Sequence, residues 1–342
     1  MVILTNCLTE KTDEGCLKIA NNLIKRIKVQ APETTVLSYE KRTVQSDLHM
    51  GLNKLFLNPG LFRFLRRKKQ PVLYIPFSSN TKASIIRTWI LSRFSGCEIY
   101  VLFVLRHPMG RIFQKMLQWS GARVITLSRE SYLYFHNTLK NDTYRIKAGI
   151  DVKKYVPVDS ERKAQLRKMY RIGEQEKVLL HVGHLKEGRN IGLLLQTPAE
   201  YRLVLVVSTL QQQDLQLRRQ LESRPNTLIL DTYQEHIEQI YQLSDIYVFP
   251  VQEAGNCIDV PVSALEAAAC GIPVAATCYG ELKELLDKEG FYPITSFDTA
   301  SFSSLLHRAC EEKCSGRQSV QEYSWDFAVN NLLQCLQEKR NK

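Results

Sequence analysis

Acidic residues nearly vanish from one long stretch of this chain. Between Asp47 and Glu130 the only carboxylate is Glu98. Residues 1–155 hold 26 Lys and Arg against 10 Asp and Glu, whereas residues 156–342 hold 20 against 25. The formal net charge of +11 therefore belongs to the first half, which is suited to an anionic partner or simply kept soluble by its charge. No apolar run approaches ~20 residues, which excludes a helix that spans a bilayer. The beginning, MVILTNCLTEKTDEGC, carries acids early and no basic lead, so a secretory signal is not expected and a cytoplasmic protein is. The chain has nine cysteines and only seven histidines, with no Cys-x-x-Cys; Cys310 and Cys314 are four apart on an expected helix. A structural zinc site is thereby disfavoured, and reduced thiols packed as small apolar groups are expected. Low-complexity tracts and short repeats are absent too.

What the chain has is length for two domains, 342 residues at 44% apolar, and a regular alternation of apolar strands with helices. Strands are expected over 2–7, 35–39, 72–77, 99–105 and 124–128, with helices over 13–28, 81–95, 111–119 and 129–138. The second half repeats the rhythm. Its strands fall over 178–183, 203–208, 227–231, 246–251 and 274–277, and its helices over 191–196, 211–222, 237–243, 261–270 and 282–288. Such alternation predicts an α/β fold of two Rossmann-like domains, each a parallel sheet wound by crossover helices, facing a cleft. The predicted boundaries are 1–155 for a basic first domain and 156–322 for a second domain, with an amphipathic C-terminal helix over 323–342.

One stretch carries most of the chemistry. In DVPVSALEAAACGIPVAAT, Asp259 to Thr277, Pro261 suits a first helical turn, Asp259 a cap, and Gly271 with Pro273 a stop. The helix has almost no polar face, so Glu266 is expected to be buried. A buried carboxylate needs donors: a sugar diol offers two, and a core Arg or a cap is the bland alternative. The amides around Val260 and Val262 form an N-terminal site for phosphate.

Several motifs occur together and in order: HVGHLKEGRN (181–190), IYQLSDIYVFPV (240–251), LEAAACGIPVAAT (265–277), the linker AGIDVKKYVP and the tail SWDFAV. Together they resemble a GT-B glycosyltransferase of the large retaining family numbered four. The first half is similar chiefly through FVLRHPMG and VITLSRES. The resemblance implies transfer of a hexose from a nucleotide-sugar donor to an acceptor with retention, with no cofactor and no metal; it makes 1–155 the acceptor domain and 156–322 the donor domain, and has the helix of 323–342 cross back to the first domain. It places Glu266 on the ribose and Arg189 on the donor diphosphate. His184 falls where the family often has Arg, with Lys186 as the nearby alternative cation. His107 corresponds to the histidine beside the transferred sugar, so His107 and Arg189 are the implied catalytic pair. The first glutamate of the family's paired motif would be Ile258 here; Glu253, Asn256 and Asp259 are the residues left to meet the donor sugar. The usual glycine pair after the first strand is missing, since LTEKTDEGC has only Gly15.

Residues 58–71, NPGLFRFLRRKKQP, mix Phe62 and Phe64 with Arg66, Arg67, Lys68 and Lys69. This segment is the candidate for an anionic membrane face and a lipid-linked acceptor, against a solvated loop whose apolar residues join the core. Two other functions stay open: a nucleotide-sugar epimerase on the same fold, and a non-catalytic module binding a polyanion. Nucleic acid is disfavoured as a partner, because no recognised binding motif accompanies the aromatic and arginine residues.

Overall fold

The structure, a computed structural model, describes all residues except 10–14, 41–42, 54, 78, 209–212, 254 and 338–342. The expected helix starts at 13–14 and 211–212 fall among those exceptions. The chain divides into two compact α/β units: Met1–Gly149 with Ile258–Val260 and Trp325–Lys342, and Ile150–Cys257 with Pro261–Ser324.

The first unit contains β1 (Val2–Thr5), α1 (Gly15–Gln30), β2 (Thr35–Ser38), β3 (Leu48–His49), α2 (Pro59–Lys68), β4 (Val72–Ile75), α3 (Lys82–Phe94), β5 (Ile99–Phe103), α4 (Arg111–Ser120), β6 (Arg123–Thr126), α5 (Arg129–Thr138) and β7 (Thr143–Arg145). Its strands pair in parallel, in the order β3-β2-β1-β4-β5-β6-β7. β1, β4 and β5 are buried along their whole length, as expected of parallel strands covered by helices on both faces.

The second unit runs α6 (Ser160–Met169), β8 (Lys177–Gly183), β9 (Tyr201–Val207), α7 (Leu215–Ser223), β10 (Thr227–Leu230), α8 (Ile237–Leu243), β11 (Ile246–Phe249), α9 (Val262–Ala269), β12 (Val274–Ala276), β13 (Phe291–Pro293) and α10 (Thr299–Glu312). Its parallel sheet has the order β10-β9-β8-β11-β12-β13. The strand order reverses direction between β8 and β11, and the carboxyl ends of two such strands frame the usual ligand crevice of a doubly wound sheet.

The terminal helix α11 (Trp325–Gln337) belongs to the first unit. It lies along α1, where Asp326 pairs with Arg26. A Cβ on Gly149 would lie 2.2 Å from a ring carbon of Trp325, so this glycine lets the tryptophan seat against the backbone.

Some expectations need correction. Residues 191–196 and 280–284 are 3-10 turns rather than α-helices. Apolar runs such as 2–7 and 99–105 continue past their strands into buried loop. The short edges β3, β7 and β13 and the helices α6 and α10 join the pattern.

Candidate active site

β8 ends at Gly183, and the chain turns sharply through residues 184–190. Gly188 has φ +81° and Asn190 φ +55°, both left-handed; glycine adopts that region without cost and asparagine tolerates it. The turn folds Arg189 back over the strand end. A Cβ built on Gly183 would lie 2.9 Å from Arg189 Nη1, so the guanidinium occupies the space a side chain would take. Arg189 Nε donates to the Asn256 carbonyl at 2.8 Å. Among the described residues its two Nη groups meet no carboxylate.

Asn256 joins the β8 loop to the loop that follows β11. Its Nδ2 donates to the Gly188 carbonyl at 3.1 Å and to Glu253 Oε2 at 3.0 Å. A Cβ on Gly188 would sit 2.4 Å from that nitrogen, so Gly188 is needed for the close approach as well as for the turn. Tyr279 steadies the next residue: its hydroxyl accepts from the Cys257 amide at 3.2 Å and donates to the Cys257 carbonyl. Arg189, Glu253 and Asn256 thus come together at the crevice of the second unit. Lys186 is exposed on the same turn, and among the described residues it forms no ion pair.

Two neutral histidines adjoin the guanidinium. His181, inside β8 and 1% exposed, makes a 2.9 Å contact from Nδ1 to the Val248 carbonyl. A carbonyl only accepts, so Nδ1 carries the proton and Nε2 presents a lone pair. That Nε2 is buried, among the described residues has no partner, and would be 3.0 Å from a Gly183 Cβ. Burial, opposed only in part by the Val248 carbonyl, pushes the His181 imidazole down to about 4. Burial and then Arg189 and Lys186 push His184 down to about 4 as well. His184 is therefore uncharged near neutrality and adds no second positive charge to the turn; Arg189 and Lys186 supply the cations.

The buried helix α9 forms where small residues were expected to permit it. Among the described residues no side chain caps its first turn, and Tyr247 donates to Ser263 Oγ at 2.8 Å, fixing that turn against β11. Val262 is its first residue. Val260 is not in this turn: it lies two residues earlier, fully buried, in the first unit. Asp259 is not the cap either, because Pro261 occupies that position. The Asp259 carboxylate instead accepts from Ser128 Oγ at 3.2 Å and from Ser131 Oγ, at the start of α5. Burial raises its pKa, against the two serine hydroxyls.

Glu266 is 1% exposed. Its Oε2 accepts from the Tyr241 hydroxyl at 3.2 Å. Tyr155 stands edge-on to Tyr241 with ring centres 5.8 Å apart. Burial first, and then the Glu266 charge, drives both phenols well above their ordinary range. A buried phenol, Tyr241, is thus one donor to this carboxylate.

In the first unit, His107 follows β5 and its backbone is clamped at two points by the buried Asn80. The His107 amide donates to Asn80 Oδ1 and Asn80 Nδ2 donates to the His107 carbonyl, both at 2.7 Å. Ser79 Oγ accepts from the Leu105 amide at 2.9 Å. The candidate membrane segment is α2. Asn58 caps it, accepting from the Gly60 amide at 2.8 Å, and Pro59 opens it. Leu61 and Leu65 enter the core, while Phe62 and Phe64 are half-buried against it rather than projecting freely. Arg63, Arg66, Arg67, Lys68 and Lys69 are exposed, and Lys68 Nζ lies 5.9 Å from the Phe64 ring centre.

Sequence reasoning passed over His181, Asn80 and the phenols Tyr155 and Tyr241. A polar residue inside an apolar strand was a usable signal for His181. The others act through contacts across 25 to 111 positions, beyond any local pattern. Among the described residues no three His, Cys, Asp or Glu gather as a metal site, and all nine cysteines are free thiols.

Residues 176–311 match the family described as Glycosyl transferases group 1. Over nearly the whole chain the fold is that of Anabaena Alr3699/HepE, solved in complex with UDP: TM-score 0.76 at 16% identity, covering 98% of this chain and 99% of that one. It is similarly that of a sucrose-phosphate synthase from Thermosynechococcus elongatus: TM-score 0.74 at 17% identity, covering 99% of each. The chain therefore has the GT-B fold, two parallel-sheet α/β domains, that these solved structures share. A curated relative is the GDP-mannose-dependent monoacylated alpha-(1-6)-phosphatidylinositol monomannoside mannosyltransferase of Corynebacterium glutamicum, 24% identical over 211 residues. That match takes in 56% of this chain and 55% of the relative, so the chain spans about half the length of the curated protein it matches.

Proposed function

We propose that this protein is a retaining, metal-independent glycosyltransferase that moves a hexose from a nucleotide-sugar donor to an acceptor. The acceptor is lipid-linked, and the reaction takes place at the cytoplasmic membrane face. One observation carries the reading: Arg189 lies over Gly183 at the strand-order reversal, anchored through Nε, with both Nη groups turned to no carboxylate of the described chain.

Cleaving a glycosyl–phosphate bond leaves extra negative charge on a diphosphate and positive charge on the sugar. A guanidinium held in place offers two charge-assisted hydrogen bonds to phosphate oxygens. The uncapped first turn of α9 at Val262 adds amide donors and the positive end of a helix dipole. Lys186 adds a second charge, and His184 serves as a neutral neighbour. Glu253 and Asn256 face the sugar, Glu266 takes the ribose, and His107 steadies the transferred ring. The departing phosphate accepts the acceptor proton, so no protein base is required. A preorganised donor of this kind is typically worth about 3–4 kcal/mol in a dry site.

UDP in the Anabaena structure and GDP-mannose in the name of the curated relative make uridine and guanosine diphosphate sugars the first donors to try. Wild type should consume one donor selectively, Arg189→Ala should lose at least a hundredfold in turnover, and product analysis should show a glycosylated acceptor. A free epimerised sugar nucleotide would instead establish the epimerase, and equal turnover by Arg189→Ala would overturn the assignment.

A further inference from the structure

Acids are absent from α2, PGLFRFLRRK. At 3.6 residues per turn, Arg63, Arg66 and Arg67 stand at i, i+3 and i+4 on one face, an arrangement whose mutual repulsion disfavours the bare helix. Among the described residues none of the three meets a carboxylate. Phe62 lies on the same side, and its ring centre is 5.8 Å from that of Phe94 at the end of α3. Between them opens a cavity of about 620 Å³, lined by Leu57, Phe62, Phe94 and all three arginines. Its size suits a head group. Its chemistry is divided, with guanidinium forks at one side and aromatic and aliphatic walls at the other. A free phosphate would use only the forks, whereas a phosphate carrying acyl chains uses both.

We propose that this cavity binds the phosphate head group of an anionic membrane lipid, with the adjoining apolar carbons against Phe62 and Phe94. The proposal deepens the membrane-facing part of the reading above and does not depend on donor chemistry. Vesicle binding needs no nucleotide sugar, so either idea can fail alone.

A diffuse basic face responds to charge number only, losing about fivefold in vesicle affinity for each Lys or Arg removed. A built pocket responds to position and to the guanidinium fork. The experiment is sedimentation of the full chain with phosphatidylcholine vesicles containing phosphatidic acid. Comparison is between Arg66→Lys/Arg67→Lys, which keeps the charge, and Lys68→Gln/Lys69→Gln, which removes two charges outside the cavity. The arginine pair should lose at least tenfold in affinity and more than the lysine pair. Phe94→Ala should weaken binding and Phe94→Leu should restore it. All four changes lie on exposed positions, and an unaltered melting temperature will confirm folding. Unchanged affinity in the charge-conserving pair, with about a 25-fold loss in the lysine pair, would show a diffuse face and overturn the pocket. Glycerol 3-phosphate that binds the free protein as tightly as vesicles do would show a soluble phosphate site and overturn the lipid.

Discussion

Replacing Gly183 with alanine changes neither the charge nor the hydrogen-bonding groups of the crevice. It tests whether the position of the Arg189 guanidinium matters. Gly183 is not among the left-handed glycines, so alanine meets no backbone strain there. Its Cβ arrives 2.9 Å from Arg189 Nη1 and 3.0 Å from His181 Nε2, closer than such atoms tolerate. His181 is buried in a strand and cannot retreat, so the guanidinium must. Its Nε is tied to Asn256 at 2.8 Å, so the tip swings about that anchor, and at least one of the two phosphate bonds proposed for it should be lost. A hydrogen bond to a charged group is worth about 1.5–3 kcal/mol, which predicts a fall in kcat/KM of about ten- to a hundredfold. Stability should fall by about 1–3 kcal/mol, because the contact with the buried His181 cannot relax as the flexible tip does. Steady-state donor turnover, with a urea unfolding midpoint as control, measures both. Turnover within twofold of wild type would refute the positioning argument. A loss matched by the unfolded fraction would refute it equally.

Glu266→Ala should destabilise the second unit by about 1–3 kcal/mol for each phenol left without an acceptor, whereas Glu266→Gln should cost less because it keeps an oxygen at the same place. Chemical denaturation checks this, and a raised donor KM in the folded Gln variant would mark the ribose contact. His181 titrates near 4 when folded and near 6.5 when unfolded. The unfolded chain therefore binds the extra proton between those values, and stability is full above about pH 6.5 and falls as pH drops toward 4. The gap corresponds to about 3 kcal/mol; unfolding free energies at pH 7 and pH 5 should show part of this loss, and His181→Phe should reduce it while leaving the share that His184, also held near 4, contributes.

The two-unit α/β architecture was legible because buried parallel strands read as unbroken apolar runs and their crossover helices as a second, regular period. The edge strands β3, β7 and β13 span only two or three residues, too short for any period to register. α2 announced itself by Asn58-Pro59 and by its cations. How its aromatics would divide between core and cavity depended on α3, thirty residues away. Arg189, Glu253 and Asn256 could be singled out from motif order. Their joining through Gly188 and Gly183 is a matter of close approach between distant loops. Asp259 shows the limit most clearly. Next to a proline-led helix its carboxylate reads as a cap, yet two serine hydroxyls about 130 positions earlier take it instead. Glu266 was correctly expected to be buried, and nothing local revealed that Tyr155 and Tyr241 would be its neighbours.

The central claim is that Arg189 grips a nucleotide's diphosphate at the β8–β11 crevice, and calorimetric titration with UDP and GDP measures it directly. The account predicts saturable binding of at least one of them by wild type, and at least a tenfold weaker affinity in Arg189→Ala with folding intact. Equal affinity in the two proteins, or binding of neither nucleotide by wild type, would contradict it.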